Sequence, residues 1–307
     1  MRFTRLSSLM ALSLVVTACS GPGNLFGSKK APDNRPVIAA SFYPIAEIVQ
    51  RVAGDDVQLL QLNPAGKEPH ETDLSAQQLV ELSKADVVFY LGDGFQPSVE
   101  KAIKSLPTSV KAIDVLKSAD VVRVSPFDDT NRFGNDPHVW LDPANMTKIA
   151  MAVSDSITSL LPNASALAQR LSDYSDELDS VGTLMDTRFA SCERRELVTA
   201  HDAFGYFAQR AGLTTIAISG IDPSTEPSAK ELEAIAKIAR ENNVATVFFE
   251  EILPKEFADT VAKAIGANTD SINAVETISQ DDLVAGATYI SIMKENITKV
   301  AAGLGCK

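Results

Sequence analysis

The sequence predicts an α/β protein of two similar lobes, each built on a central parallel sheet, joined by one long rigid helix. Three observations carry that expectation. Short apolar runs rich in Val, Ile and Phe alternate with stretches of helical period along the chain, the pattern of βαβ units and parallel strands. The rhythm restarts near the middle: Val37-Ile38-Ala39-Ala40-Ser41-Phe42-Tyr43 and Leu197-Val198-Thr199-Ala200-His201-Asp202-Ala203 each run from a strand through a polar corner into a helix. Between the halves, Leu167, Leu171, Tyr174, Leu178, Val181, Leu184, Met185 and Phe189 recur every three or four residues, which is one face of a helix.

In order, strands are expected near Val37 to Ala40, Val57 to Leu62, Val87 to Leu91 and Val110 to Ile113, with helices at Ile45 to Val52, Leu74 to Leu82 and Pro97 to Ser105. The linking helix should run from Ala164 to Ala190, ~40 Å at 1.5 Å per residue. Pro162 precedes it, Asn163 and Ser165 can cap it, and its apolar face continues through Gly182. The second half repeats with strands near Leu197 to Ala200, Thr215 to Ile218, Val244 to Phe249 and Ala267 to Thr269. The domain expectation is therefore a lobe over 36–162, the linker over 163–190 and a lobe over 191–307.

The amino terminus reads as an export signal. Arg2 and Arg5 precede an apolar run from Leu9 to Ala18 that is too short to span a bilayer. Val16-Thr17-Ala18-Cys19 resembles a bacterial lipobox, so residues 1–18 are expected to be removed and Cys19 lipidated. Residues 19–35, rich in Gly, Pro, Lys and Asn, read as a flexible tether. The body is expected outside the cytoplasm, held to the cell membrane by lipid.

The formal net charge is −12, and removing Arg2 and Arg5 makes it more negative. That balance argues against nucleic acid as a partner, since phosphate binding needs a basic face, and suits attraction of cations. Beyond Cys19 only Cys192 and Cys306 remain. In an exported protein a disulfide between them is expected, with two free thiols or a pair of zinc ligands as alternatives.

Histidine is the scarce residue. His70, His138 and His201 are the only three, each in a polar segment far from the others. Asp270, in Asn268-Thr269-Asp270-Ser271, follows at a similar interval. Imidazole is the commonest metal ligand; wide spacing excludes a local finger, whose ligands come in close pairs, and requires the fold to bring the groups together. His70, His201 and Asp270 each follow an expected strand, where ligands of open parallel sheets bind. Glu250 and Glu251 follow another strand toward the same sheet edge but are not taken as ligands while Asp270 is available.

Five motifs carry a family resemblance: Pro69-His70; Asp136-Pro137-His138-Val139-Trp140-Leu141-Asp142-Pro143; Thr199-Ala200-His201-Asp202-Ala203-Phe204-Gly205-Tyr206; Glu226-Pro227-Ser228; and Thr269-Asp270-Ser271. Together they resemble the solute-binding lipoproteins of bacterial zinc and manganese ABC importers, the metal-binding receptor family (cluster A-I) that includes surface proteins once called adhesins. The resemblance implies a binding protein, not an enzyme, delivering metal to an ABC permease and ATPase complex, and a monomer is expected. It also implies a metal between the lobes, held by His70 and His138 from the first and His201 and Asp270 from the second. Asp136, Asp202 and Glu226 would orient imidazole N–H groups.

Zinc (Zn2+) is the expected cargo, because His201 stands where manganese receptors resemble one another in having a carboxylate; manganese (Mn2+) is the alternative. Unlike many zinc receptors of the family, the chain has no histidine-rich loop, Ser125 to Asn135 being short and acidic. Two other classes compete: a zinc hydrolase, for which no His-Glu-x-x-His helix is present, and a surface adhesin, for which the sequence has no repeats or basic patch.

Overall fold

The computed structural model describes residues 34–121 and 135–307. The expected signal at 1–18, the Cys19 lipid site, nearly all of the tether and most of the Ser125 to Asn135 segment lie outside the described residues.

The first half contains β1 (Val37–Ala40), α1 (Tyr43–Ala53), β2 (Gln58–Gln61), α2 (Ala76–Leu82), β3 (Val87–Tyr90), α3 (Pro97–Ile103), β4 (Lys111–Asp114) and α4 (Pro143–Ile157). Helix α5 (Ala164–Arg188) follows. The second half contains β5 (Glu196–Thr199), α6 (Gly205–Ala211), β6 (Thr214–Ala217), α7 (Ala229–Glu241), β7 (Thr246–Glu250), α8 (Glu256–Ile265), β8 (Asn268–Ile272), α9 (Gln280–Ala285) and α10 (Tyr289–Leu304).

The strands form two four-stranded sheets of the same order, β2-β1-β3-β4 and β6-β5-β7-β8, with every pairing parallel. The repeated order explains why the sequence rhythm restarts near Leu197. Ile38, Ala39 and Ala40 on β1 and Val88 and Phe89 on β3 are wholly buried. Central strands covered on both faces read as continuous apolar runs. In each sheet the order of strand addition switches sides between the two central strands, β1 and β3 or β5 and β7. The crevice beyond their carboxyl ends is where such folds bind ligands.

Helix α5 is unbroken through Gly182, as its apolar face implies. Gly182 is buried, and a Cβ there would lie 2.9 Å from the Arg210 guanidinium. The missing side chain lets Arg210 of α6 lie across the helix and bind Asp186 through two 2.8 Å contacts. Asn163 caps the start of α5 through the Ala166 N–H, and Ser165 donates to the same side-chain oxygen.

The apolar core does not stop at either end of this helix. One cluster joins Phe42, Phe89 and Trp140 to Tyr174 and Met185 of α5, and onward to Leu197, Phe204 and Tyr289. Residues 35–307 accordingly form one compact unit. Cys192 and Cys306 are joined by a disulfide across 114 residues. Backbone bonds from Arg194 N–H to Leu304 and from Lys307 N–H to Ser191 lay the chain end beside it.

Candidate metal centre

Four segments converge at the crevice. His70 lies in the loop after β2, which Asn63 organises by donating to the Lys67 carbonyl and accepting from the Thr72 hydroxyl at 2.7 Å. The His70 N–H donates to Glu68 Oε1. Gly66, at φ +72°, turns the loop so that its N–H meets both Thr277 Oγ1 and the Ile278 carbonyl at 2.9 Å. These backbone contacts carry the loop bearing His70 onto a loop of the second half.

His138 opens a 3₁₀ turn over Val139–Leu141. Asp136 Oδ1 accepts from both its backbone N–H, at 3.0 Å, and its ring Nδ1, at 2.7 Å. The ring packs against Trp140 with centroids 5.1 Å apart. The second half grips this segment at three points: Trp140 Nε1 donates to the Ala274 carbonyl, Tyr289 Oη to the Trp140 carbonyl and Tyr206 Oη to the Asp136 carbonyl.

His201 stands just beyond β5 in the crevice, and its Nδ1 donates to Glu250 Oε1 at 2.8 Å. Glu250 is the last residue of β7, so these two residues face each other across the point where the strand order switches sides. The fourth group is Glu276, in the loop between β8 and α9. It is preceded by Val275 at φ +59°, a conformation that costs a β-branched residue about 1–3 kcal/mol. Val275 N–H donates to Asn273 Oδ1, while Asn296 of α10 holds the Asn273 N–H and carbonyl. The surrounding bonds thus hold the turn that points Glu276 inward.

Glu276 Oε1 lies 3.0 Å from His138 Nε2, 3.2 Å from His201 Nε2 and 3.8 Å from His70 Nε2. One ligand atom from each of the four residues lies within 4.8 Å of all the others. His138 and His201 are 0% exposed, Glu276 1% and His70 4%. Ligands at the corners of a tetrahedral zinc shell stand about 3.3 Å apart when zinc–ligand bonds are near 2.0–2.1 Å; the measured separations bracket that value. With Nδ1 engaged by Asp136 or Glu250, Nε2 of His138 and His201 is the nitrogen presented to an ion, the usual carboxylate–imidazole arrangement.

Electrostatics match a cation at the centre. Burial opposes charge on His138, but Asp136 and Glu276 outweigh it and hold its pKa up at about 9. His201 is likewise raised well above the ordinary imidazole value, burial being overcome by Glu250 and Glu276. Burial would raise Glu276, yet the surrounding imidazoles hold it well below the usual carboxylate range. His70 is pushed down chiefly by burial. Glu68 is pushed up to about 8 by burial and by the Glu276 charge.

Three of the four expected ligands meet, and Asp270 does not join them. The apolar signal for the last strand ends at Thr269, whereas β8 continues to Ile272. Asp270 is therefore a mid-strand residue paired in register with Phe248, its carboxylate accepting from the adjacent Ser271 N–H. The loop beyond the sheet starts later and brings Glu276. A sequence signal existed: Glu276 is the sole acid between Asn273 and Ser279, set among Ala274, Val275 and Ile278.

Of the residues expected to orient imidazoles, Asp136 contacts His138. The carboxylate at His201 Nδ1 is Glu250 instead of Asp202, whose backbone N–H bonds the Gly220 carbonyl. Glu226 is exposed two residues before the cap of α7 and lines an outer cavity with Glu68 and Glu71.

Residues 38–303 match the family model described as ZnuA, zinc-uptake complex component A, periplasmic. The chain is 31% identical over 304 residues to the zinc-binding lipoprotein AdcA of Streptococcus pneumoniae, covering 95% of this chain and 58% of that protein. It thus spans little more than half of that relative's length. It is 29% identical over 306 residues to the high-affinity zinc uptake system protein ZnuA of Bacillus subtilis, covering 96% of each. The crystal structure of the Zn(II)-bound ZnuA-like domain of S. pneumoniae AdcA superposes with a TM-score of 0.75 at 30% identity, covering 88% of this chain and 99% of that one. With two like-ordered parallel sheets flanking a buried cluster of three imidazoles and a carboxylate, and a family match over nearly all of the described residues, the chain belongs to the ZnuA family of zinc-uptake components.

Proposed function

We propose that this protein captures zinc outside the cytoplasm and delivers it to an ABC importer. The observation that carries the reading is the convergence of His70, His138 and His201 Nε2 on Glu276 Oε1 in a buried site. Three imidazoles and one carboxylate favour zinc over manganese, which prefers a shell richer in oxygen. Four protein ligands close a tetrahedral shell and leave no position for a reactive water, which favours binding over hydrolysis.

In this reading Asp136 and Glu250 orient His138 and His201. Residues 36–162 and 191–307 act as two lobes about the linker at 163–190, and release requires loosening the Trp140–Ala274, Tyr289–Trp140 and Gly66–Ile278 bonds between them. Cys19 carries the lipid that keeps the monomer at the membrane beside its permease and ATPase.

The test is metal content by mass spectrometry of protein purified without chelator, followed by equilibrium competition between zinc and manganese. One zinc per chain, preferred over manganese by more than ~10-fold, supports the reading. Zinc affinity unchanged in His70→Ala, His138→Ala and His201→Ala overturns it.

A further inference from the structure

The four ligands are almost wholly buried, so an ion must reach them by a defined way. Among the described residues, cavities open beside the site on two sides. One, of about 250 Å3, is rimmed by Glu68, Glu71 and Glu226, and none of the four ligand residues lines it. The other, of about 240 Å3, is lined by Gly66, Glu250, Glu251, Glu276, Thr277 and Asp282 among others, so a ligand residue stands in its wall. Glu251 and Asp282 are exposed at this cavity. Glu250 and Glu276 are each 1% exposed, and the Oε2 atom of each has no hydrogen-bond partner among the described residues.

A buried carboxylate oxygen without a donor is costly to keep. Two of them lining one cavity, with acids at the solvent side, place carboxylates along its wall from the mouth to Glu276, which a dication could follow inward. A cleft lined by one sign of charge raises the association rate of an oppositely charged ligand. Glu250 can serve this path without leaving His201, because Oε1 holds the imidazole while Oε2 makes no hydrogen bond among the described residues.

We propose that this acidic cavity is the loading route for the divalent cation, and that Glu250 Oε2 receives the ion before it passes to Glu276 and the imidazoles. The inference rests on the zinc-capture reading and adds to it the way in. It assigns Glu250 a transient contact with the cargo as well as its orienting bond to His201.

The test compares equal charge reversals at the two mouths by stopped-flow zinc transfer from a fluorescent chelator, using the mature protein. Glu251→Lys should slow association by ~10-fold, with the difference shrinking as salt rises, while Glu226→Lys changes it by less than ~2-fold. Glu250→Gln keeps an acceptor for His201 Nδ1 but removes the charge, and should slow association and dissociation together.

Equal slowing by both lysine variants, or greater slowing by Glu226→Lys, overturns the route. Faster dissociation in Glu250→Gln with unchanged association shows an orienting role alone and overturns the loading contact. Thermal melts and circular dichroism matching the parent exclude misfolding, the changed groups at 226 and 251 being exposed. If the parent itself takes up no zinc at equilibrium, both the capture reading and the route fall; if it does and the mouths are equivalent, only the route falls.

Discussion

Gly205 stands against the Asp136 carboxylate so closely that a Cβ on it would lie 2.7 Å from Oδ2. Asp136 is the residue that holds His138 Nδ1, so a glycine at the start of α6 in one half permits the orientation of an imidazole contributed by the other. Gly205→Ala should displace Asp136 and lower zinc affinity about 10- to 100-fold, the usual range for losing a ligand's supporting carboxylate. The fold should lose only about 1–3 kcal/mol. Isothermal titration and urea unfolding on the same preparation separate the two effects.

Glu276 and Asp270 should behave oppositely. Glu276→Ala removes the oxygen on which three imidazoles converge and is expected to weaken zinc by at least ~100-fold. Asp270→Ala, mid-strand and bonded to its neighbour's N–H, should leave affinity within about 3-fold. Competition against a chelator of known affinity measures both, and a larger loss at Asp270 would contradict the assignment of the fourth group.

Zinc binding should depend steeply on pH. In the metal-free protein His138, with its pKa raised to about 9, and His201, raised well above the ordinary value, carry protons at neutral pH. Zinc must displace them, so affinity should rise with pH up to about 9. Calorimetry at pH 7 in buffers of different ionisation enthalpy should report release of about two protons per ion.

Metal-free stability should show the reverse trend. A histidine with a raised folded pKa contributes stability that is present below its unfolded value, about 6.5, and is lost as pH climbs through the folded one. Glu68, raised to about 8, penalises its charged form in the folded protein and acts in the same direction over that window. Melting temperature without metal should therefore fall between pH 6.5 and about 9, while the increment caused by zinc grows. A metal-free melt that is flat or rising across this window would count against the charged imidazoles.

The disulfide should matter to the fold more than to the site. Closing a loop of about a hundred residues restricts the unfolded chain by a few kcal/mol, and neither cysteine belongs to the four-residue cluster. Cys192→Ser with Cys306→Ser should lower unfolding free energy by about 2–4 kcal/mol while zinc affinity changes less than about 3-fold. Urea titration and metal competition read the two outcomes.

Much of this was legible in the chain. The strands among the described residues fall within a few residues of their expected places, because apolar runs bounded by turn residues are a local signal, strongest in the buried central strands. The helix from Ala164 was visible in its period, and its continuity through Gly182 in the apolar residues on either side. The three imidazoles stood out by scarcity. Where a strand ends is less legible, since the last residues of β8, Asp270, Ser271 and Ile272, have no strong strand pattern of their own and are kept in the sheet by pairing with Phe248, Phe249 and Glu250.

The sequence by itself determined the two like-patterned halves, the long helix between them and three of the four clustered groups, because periodicity and rare residue types are written in single stretches of chain. Tertiary structure decided the fourth. Glu276 faces the imidazoles because β7 extends β8 past Asp270 and because Asn296, on another helix, braces the loop that turns at Val275. The partner of His201 was decided in the same way, at the neighbouring strand end, where sheet pairing brings Glu250 to a nitrogen that Asp202 is closer to only along the chain.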